Sequence, residues 1–206
     1  MNYAEVRKQI QTLGYADLQD MTEFEDNVVN AVNLATRLIS LTVRPIKRNF
    51  VVRLTDIDDE GNPVYPKGED GYITIDMTEH VDDFMGWDGN PYYLNADGRN
   101  FINDYFIKDE TKIALRGDLP YYMLTIPYKK EPTPITGDTA DDFEMEIDKI
   151  LHPLLPLLAT YYVWLDDDST KATSYYNQYD DMKNQILANN TLKPTLKFNG
   201  GVKWHR

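Results

Sequence analysis

Apolar and polar positions follow two periods along this chain, helical towards both ends and extended in the middle. Near the start, Val6, Ile10 and Leu13 recur at helical spacing over residues 4–13, and Gly14 supplies a stop. Thr22–Glu23–Phe24–Glu25 has the form of a capping box, in which the hydroxyl and the carboxylate three residues later satisfy each other's exposed backbone donors. A longer helix is predicted from there. Phe24, Val28, Ala31, Ala35, Leu38 and Ile39 form its stripe, Asn27, Asn30, Asn33 and Arg37 its wet side, and Pro45 bars much continuation.

The period then changes. Phe50–Leu54, Tyr72–Asp76, Ile113–Leu115 and Tyr121–Tyr128 are short β-branched or aromatic runs bounded by Gly, Asp and Pro, so residues 48–130 read as a β-rich insertion. Phe84–Tyr93 is so dense in turn residues that it reads as an ordered loop with aromatic anchors. Pro127, Pro132 and Pro134, with Gly137 and Asp138, mark a linker back to helical sequence.

Residues 150–189 read as a helical hairpin. Ile150–Leu165 is apolar on nearly every position despite Pro153 and Pro156, so its helix must be buried almost all round. Asp166–Asp167–Asp168–Ser169 ends it and offers carboxylates to cap the next helix. In that second helix Tyr175, Tyr179, Met182 and Ile186 share one face, while Lys171, Asn177, Asp180, Asp181 and Lys183 lie away from it. The face packs back on the first helix.

A Leu-rich helix followed by Trp164–Leu165–Asp166–Asp167–Asp168, Lys171–Ala172, Tyr175–Tyr176–Asn177–Gln178–Tyr179 and Met182–Lys183 resembles the C-terminal helical hairpin of tailed-bacteriophage head-to-tail adaptor proteins. The order helix, helix, β insertion, helical hairpin is similar to that family over most of the chain. The resemblance implies a structural virion protein in the neck, assembled in the host cytoplasm into a ring, twelvefold in the virion. That ring docks beneath the portal protein, meets further neck or tail proteins, and leaves a channel for DNA. Residues 55–110 are longer than in the family's smaller members and read as decoration for another neck or tail protein.

The reading is therefore an α+β chain. Residues 1–47 and 138–190 form a four-helix bundle, 48–137 the β-rich insertion and linker, and 191–206 an extended basic arm. With 206 residues the chain can bury roughly 70% of its unfolded surface, enough for one main core and a small satellite. It has no Cys, which excludes disulfides, thiolate metal sites and thiol nucleophiles. No secretory leader or membrane-spanning run is read, since the one long apolar stretch is too short and holds two prolines.

A net charge of −13 argues against non-specific clamping of duplex DNA, whose affinity comes from Lys and Arg displacing phosphate counterions. An acidic channel wall repels DNA and so favours passage over sticking. Residues 191–206 are the exception, because they hold Lys193, Lys197, Lys203, Arg206 and no acid. Their +4 leaves −17 on residues 1–190. Leu196, Phe198, Val202 and Trp204 are costly to leave wet, so this tail has the composition of a segment that orders on a partner. Lys193, Lys197, Phe198, Lys203, Trp204 and Arg206 are the candidate contacts to the portal or a neighbouring subunit. By resemblance, too, adaptor subunits dock on the portal through C-terminal extensions.

Sharper chemistry finds little support. Asp56–Ile57–Asp58–Asp59–Glu60–Gly61 copies the start of a calcium loop, but Lys67 stands where a bidentate Glu is required and Pro63 and Pro66 intrude, so an acidic hairpin loop is expected instead. His80, His152 and His205 have no paired metal spacing, and there is no phosphate-binding Gly loop or nucleophile elbow. Acids cluster as Asp82–Asp83, Asp141–Asp142 and Asp166–Asp168, where they serve turns and helix starts. Neither catalysis, a cofactor nor a metal is read; a non-viral interaction scaffold is the alternative, and an acidic-site hydrolase a weaker one.

Overall fold

A computed structural model describes residues 1–15, 24–118 and 122–191, with side chains to Asn189. It is an α+β structure with four helices and two antiparallel sheets among the described residues. The helices are α1 (Tyr3–Gly14), α2 (Glu25–Thr42), α3 (Leu154–Trp164) and α4 (Ser169–Thr191). The strands are β1 (Ile46–Arg53), β2 (Tyr72–Asp76), β3 (Phe84–Trp87), β4 (Tyr92–Asn95), β5 (Gly98–Phe101), β6 (Tyr105–Ile107), β7 (Lys112–Arg116) and β8 (Met123–Lys130). None of these helices is long and apolar enough to cross a membrane.

The described residues divide into a helical unit, within 1–35, 139–145 and 149–191, and a β unit, within 36–138 and 146–148. In the helical unit α1 packs on α3, and α3 on α4. α1 starts one residue earlier than its apolar spacing suggested, because Asn2 and Glu5 form a reciprocal capping box. The box expected at Thr22–Glu25 includes Thr22 and Glu23, which lie outside the described residues. Val28, Ala31 and Ala35 of the α2 stripe are buried, and Val29 and Val32 widen it.

α3 is shorter than the apolar run that predicts it. It begins at Leu154, and Lys149–Leu151 instead forms a 3-10 turn with Ile150 exposed. Proline explains the start: Pro153 and Pro156 have no N–H to give, which is harmless only before a helix or within its first turn, where donors are free anyway. From Leu154 to Thr160 every side chain is buried, as expected for a helix that is apolar all round. Asp168 caps α4 by accepting from the Lys171 amide at 2.9 Å. Tyr179 is fully buried, with Tyr175, Met182 and Ile186 half-buried on the same face.

In the β unit one sheet runs β1-β8-β4-β5, with β3 also paired to β8, and the other runs β2-β7-β6. Their inner faces share one core built on Val52, Leu124, Ile126 and Tyr128 from the first sheet and Ile73, Ile75, Ile113 and Leu115 from the second.

The segment Phe84–Tyr93 differs from expectation. Its aromatics Phe84, Trp87 and Tyr93 do pack against the core, but it forms two strands rather than a loop. β8 is the reason. Its eight residues pair fully with β1 on one side, leaving the other side to recruit short partners, β3 opposite residues 128–130 and β4 opposite Thr125. Between them Pro127 has no N–H to donate, and the ladder opens there into the Asp88–Pro91 turn, with the Asp88 amide bonding the Pro127 carbonyl at 3.2 Å.

Candidate partner-binding surfaces

The six tail residues singled out by sequence, Lys193, Lys197, Phe198, Lys203, Trp204 and Arg206, lie outside the described residues. α4 runs to Thr191, so the tail continues directly from the end of that helix.

Three of the described helices meet around Trp164. Its indole lies tilted against Tyr15, with ring centroids 5.3 Å apart, and the Lys171 ammonium sits 3.5 Å from the indole centroid. Lys171 also donates to the Gly14 carbonyl at 2.9 Å, and the Tyr175 hydroxyl donates to the Leu13 carbonyl. Side chains of α4 thus satisfy carbonyls that α1 leaves free at its C-terminus, one of them with a cation at the negative end of the helix dipole. Lys171, read as lying away from the Tyr175–Tyr179 face, is half-buried in this role. Gly14 has no left-handed backbone; it is small because an added Cβ would lie 2.8 Å from Trp164 Nε1 and 3.3 Å from Thr160 Cγ2. This cluster holds the helical unit together and offers no open binding group.

The β unit carries a buried charge network. Lys130 is 8% exposed, and its ammonium bonds Glu146 at 2.5 Å and Thr133 at 3.2 Å, with Asp83 at 3.7 Å. Glu146 also accepts from the Thr133 amide at 2.8 Å. Burial pushes the Glu146 carboxyl up, but Lys130 and the Thr133 amide outweigh it and hold the group below the ordinary carboxylate range. Tyr128 donates to Asp83 at 2.9 Å, and burial with that carboxylate raises its hydroxyl to about 12. With every member paired, the network clamps residues 146–148 to β8 rather than forming a site.

Open surface lies on the outer face of the first sheet. Register places Lys47, Val51 and Arg53 of β1 beside Met123, Thr125 and Lys129 of β8, and Tyr92 and Leu94 of β4 beside Phe101 and Arg99 of β5. Leu94 is 65% exposed, Phe101 56%, Met123 51% and Val51 49%. Arg99 lies over the Tyr92 ring at 4.2 Å. Lys47 is held by Asp88 at 2.8 Å, whereas Arg53, Arg99 and Lys129 make no ion pair among the described residues. At one end, Lys47, Asn49, Asp88, Arg99 and Phe101 border an open depression of about 400 Å³. Sequence reading missed this face. Its signal was present: Phe50–Val51–Val52 and Met123–Leu124 are apolar on both phases of the strand period, which alternation alone does not require.

The acidic loop is a projecting hairpin, as expected. Ile57 bridges to Pro63, the Asp58 amide bonds the Asn62 carbonyl at 2.8 Å, and Gly61 turns the chain at φ +86°. Asp58 accepts from the Asn62 and Glu60 amides at 2.8 and 3.0 Å, bonds that lower its pKa, so its carboxylate serves the turn. Among the described residues no three His, Asp or Glu side chains gather as a metal site. No protein-family model matches the chain, and comparison with curated proteins finds no match.

Proposed function

We propose that this chain is a ring-forming adaptor of a tailed bacteriophage, docking beneath the portal and joining head to tail while leaving a channel for DNA. The observation that carries the reading is the element order: two helices, a β region, then the α3–α4 hairpin with its Trp164-to-Lys183 sequence pattern. On this reading the four helices form one bundle, with the buried α2 residues Val28, Val32 and Ala35 facing the α1–α3–α4 layer. The protein works in the virion neck, after assembly in the host cytoplasm, by binding and not by chemistry.

Charge supports the same function. With −17 on residues 1–190, a ring of these subunits repels the passing duplex, while the +4 tail provides a docking arm of opposite sign. Phe198 and Trp204 are its anchors, and Lys193, Lys197, Lys203 and Arg206 its rim. Truncation after Asn190 tests this. The shortened chain should keep its fold and melting temperature but no longer join the portal of its own virus. Phe198→Ala and Trp204→Ala should each weaken binding more than Lys193→Ala, whose effect falls mainly on association rate and salt dependence. Unchanged portal binding by the truncated chain would remove the tail from the docking role.

A further inference from the structure

We infer that the outer face of the five-stranded sheet is the receiving half of a head-to-tail contact between copies of this chain, and that the occupant is the acidic hairpin 56–64 of the next copy. The inference rests on the ring-forming reading and says where its subunits touch.

Two properties of the face demand a partner. Four large apolar side chains, Val51, Leu94, Phe101 and Met123, stand about half exposed or more on adjacent strands, which is uncommon for a surface left in water. Cations accompany them, Arg53, Arg99, Lys129 and Lys47, with Asp88 as the one acid pairing with them among the described residues. In a chain of net charge −13 this is a local reversal of sign. The face therefore calls for an occupant both apolar and acidic, which excludes the chain's own basic tail.

The hairpin supplies that chemistry. Ile57 is 67% exposed and Val64 39%, and around them Asp56, Asp58, Asp59 and Glu60 make no ion pair among the described residues. Its shape is set before contact by the Asp58 turn and the Val64 amide's 2.9 Å bond to the Asp56 carbonyl, so little ordering cost remains on binding. Leu54 and Tyr65 anchor its base in the core, beneath the opposite side of the sheet from the apolar face. A copy that lends its hairpin keeps its own face free for the next, and a heterologous contact of this kind closes into a ring when the rotation allows.

The chain has no cysteine, so the contact can be mapped by cross-linking. Mild oxidation of an equimolar mixture of Ile57→Cys and Leu94→Cys chains should give a disulfide dimer joining position 57 of one copy to 94 of another. A chain carrying both changes should give a ladder. Charge reversal gives a second reading: Asp59→Lys/Glu60→Lys and Arg53→Glu/Arg99→Glu chains should each lose at least tenfold in self-association, and mixing them should restore it. Absence of the 57–94 link at millimolar chain and on the portal, or links only between like positions, overturns the inference. Rings that assemble without the link would overturn this contact and leave the adaptor reading standing. A linked ladder from a chain that binds no portal would do the reverse.

Discussion

At Gly14 the requirement is space, not backbone freedom. Because an added Cβ meets the indole at 2.8 Å, Gly14→Ala should destabilise the helical unit by about 1–3 kcal/mol, as overpacking does. In a Trp164→Phe background, which removes Nε1, the same change should cost much less. A double-mutant cycle by thermal or denaturant melting checks this, and additive costs would refute the contact. The periodic pattern placed Gly14 correctly at the end of α1 but could not give its reason, since the indole comes from a residue far along the chain. Lys171 is set off the packing face by the sequence reading, although a step of four from Tyr175 puts it on that face; what spacing withholds is its partner. Spacing within one helix says nothing about carbonyls that another helix leaves free.

Glu146 sets the acid behaviour of the β unit. Its folded pKa lies below the unfolded one, so its contribution is complete above the unfolded value near 4 and is lost as pH falls through the folded value. Glu146→Gln leaves Lys130 nearly buried without its closest carboxylate. Breaking a buried pair typically costs roughly 3–5 kcal/mol, and with Glu146 21% exposed about 2–3 kcal/mol is expected at neutral pH. The variant's stability should also fall less steeply below pH 4 than the parent's. Parallel acid limbs in the two proteins would show that another carboxylate governs the slope.

Among the elements, the helices were legible where an apolar stripe was long, as in α2 and α4, and the strands where β-branched or aromatic runs reached five residues or more, as in β2 and β8, while β7 showed only its three-residue apolar centre Ile113–Leu115. β3 to β6, of three or four residues each, carry too few positions for a period to register. Their pairing is decided by β8 and by the missing N–H of Pro127, which are not local to them. The sheet face escaped notice for the same reason, because its residues come from four strands, two of them unpredicted. The acidic hairpin was legible, since the proline and glycine positions and Lys67 are local facts. Asp58→Ala should lower the melting temperature by removing two hydrogen bonds that its carboxylate accepts from the Glu60 and Asn62 amides, and millimolar calcium should change neither protein beyond general screening. A saturable calcium stabilisation lost in Asp58→Ala would reverse that reading.

For the molecule as a whole, the acid-rich body, the basic tail and the helix–β–hairpin order are one design if the chain works as a neck subunit. On that proposal the acids would keep DNA moving, the tail would hold the portal, and the β unit would bring neighbours together. The most direct test is the mass of the purified chain, alone and mixed with the portal of its own virus, read by mass photometry or native mass spectrometry. Subunits should join the portal as a ring of defined number, twelve on a twelvefold portal, even if the chain alone is monomeric. A chain that stays apart from the portal at every ratio and salt concentration would contradict the adaptor reading.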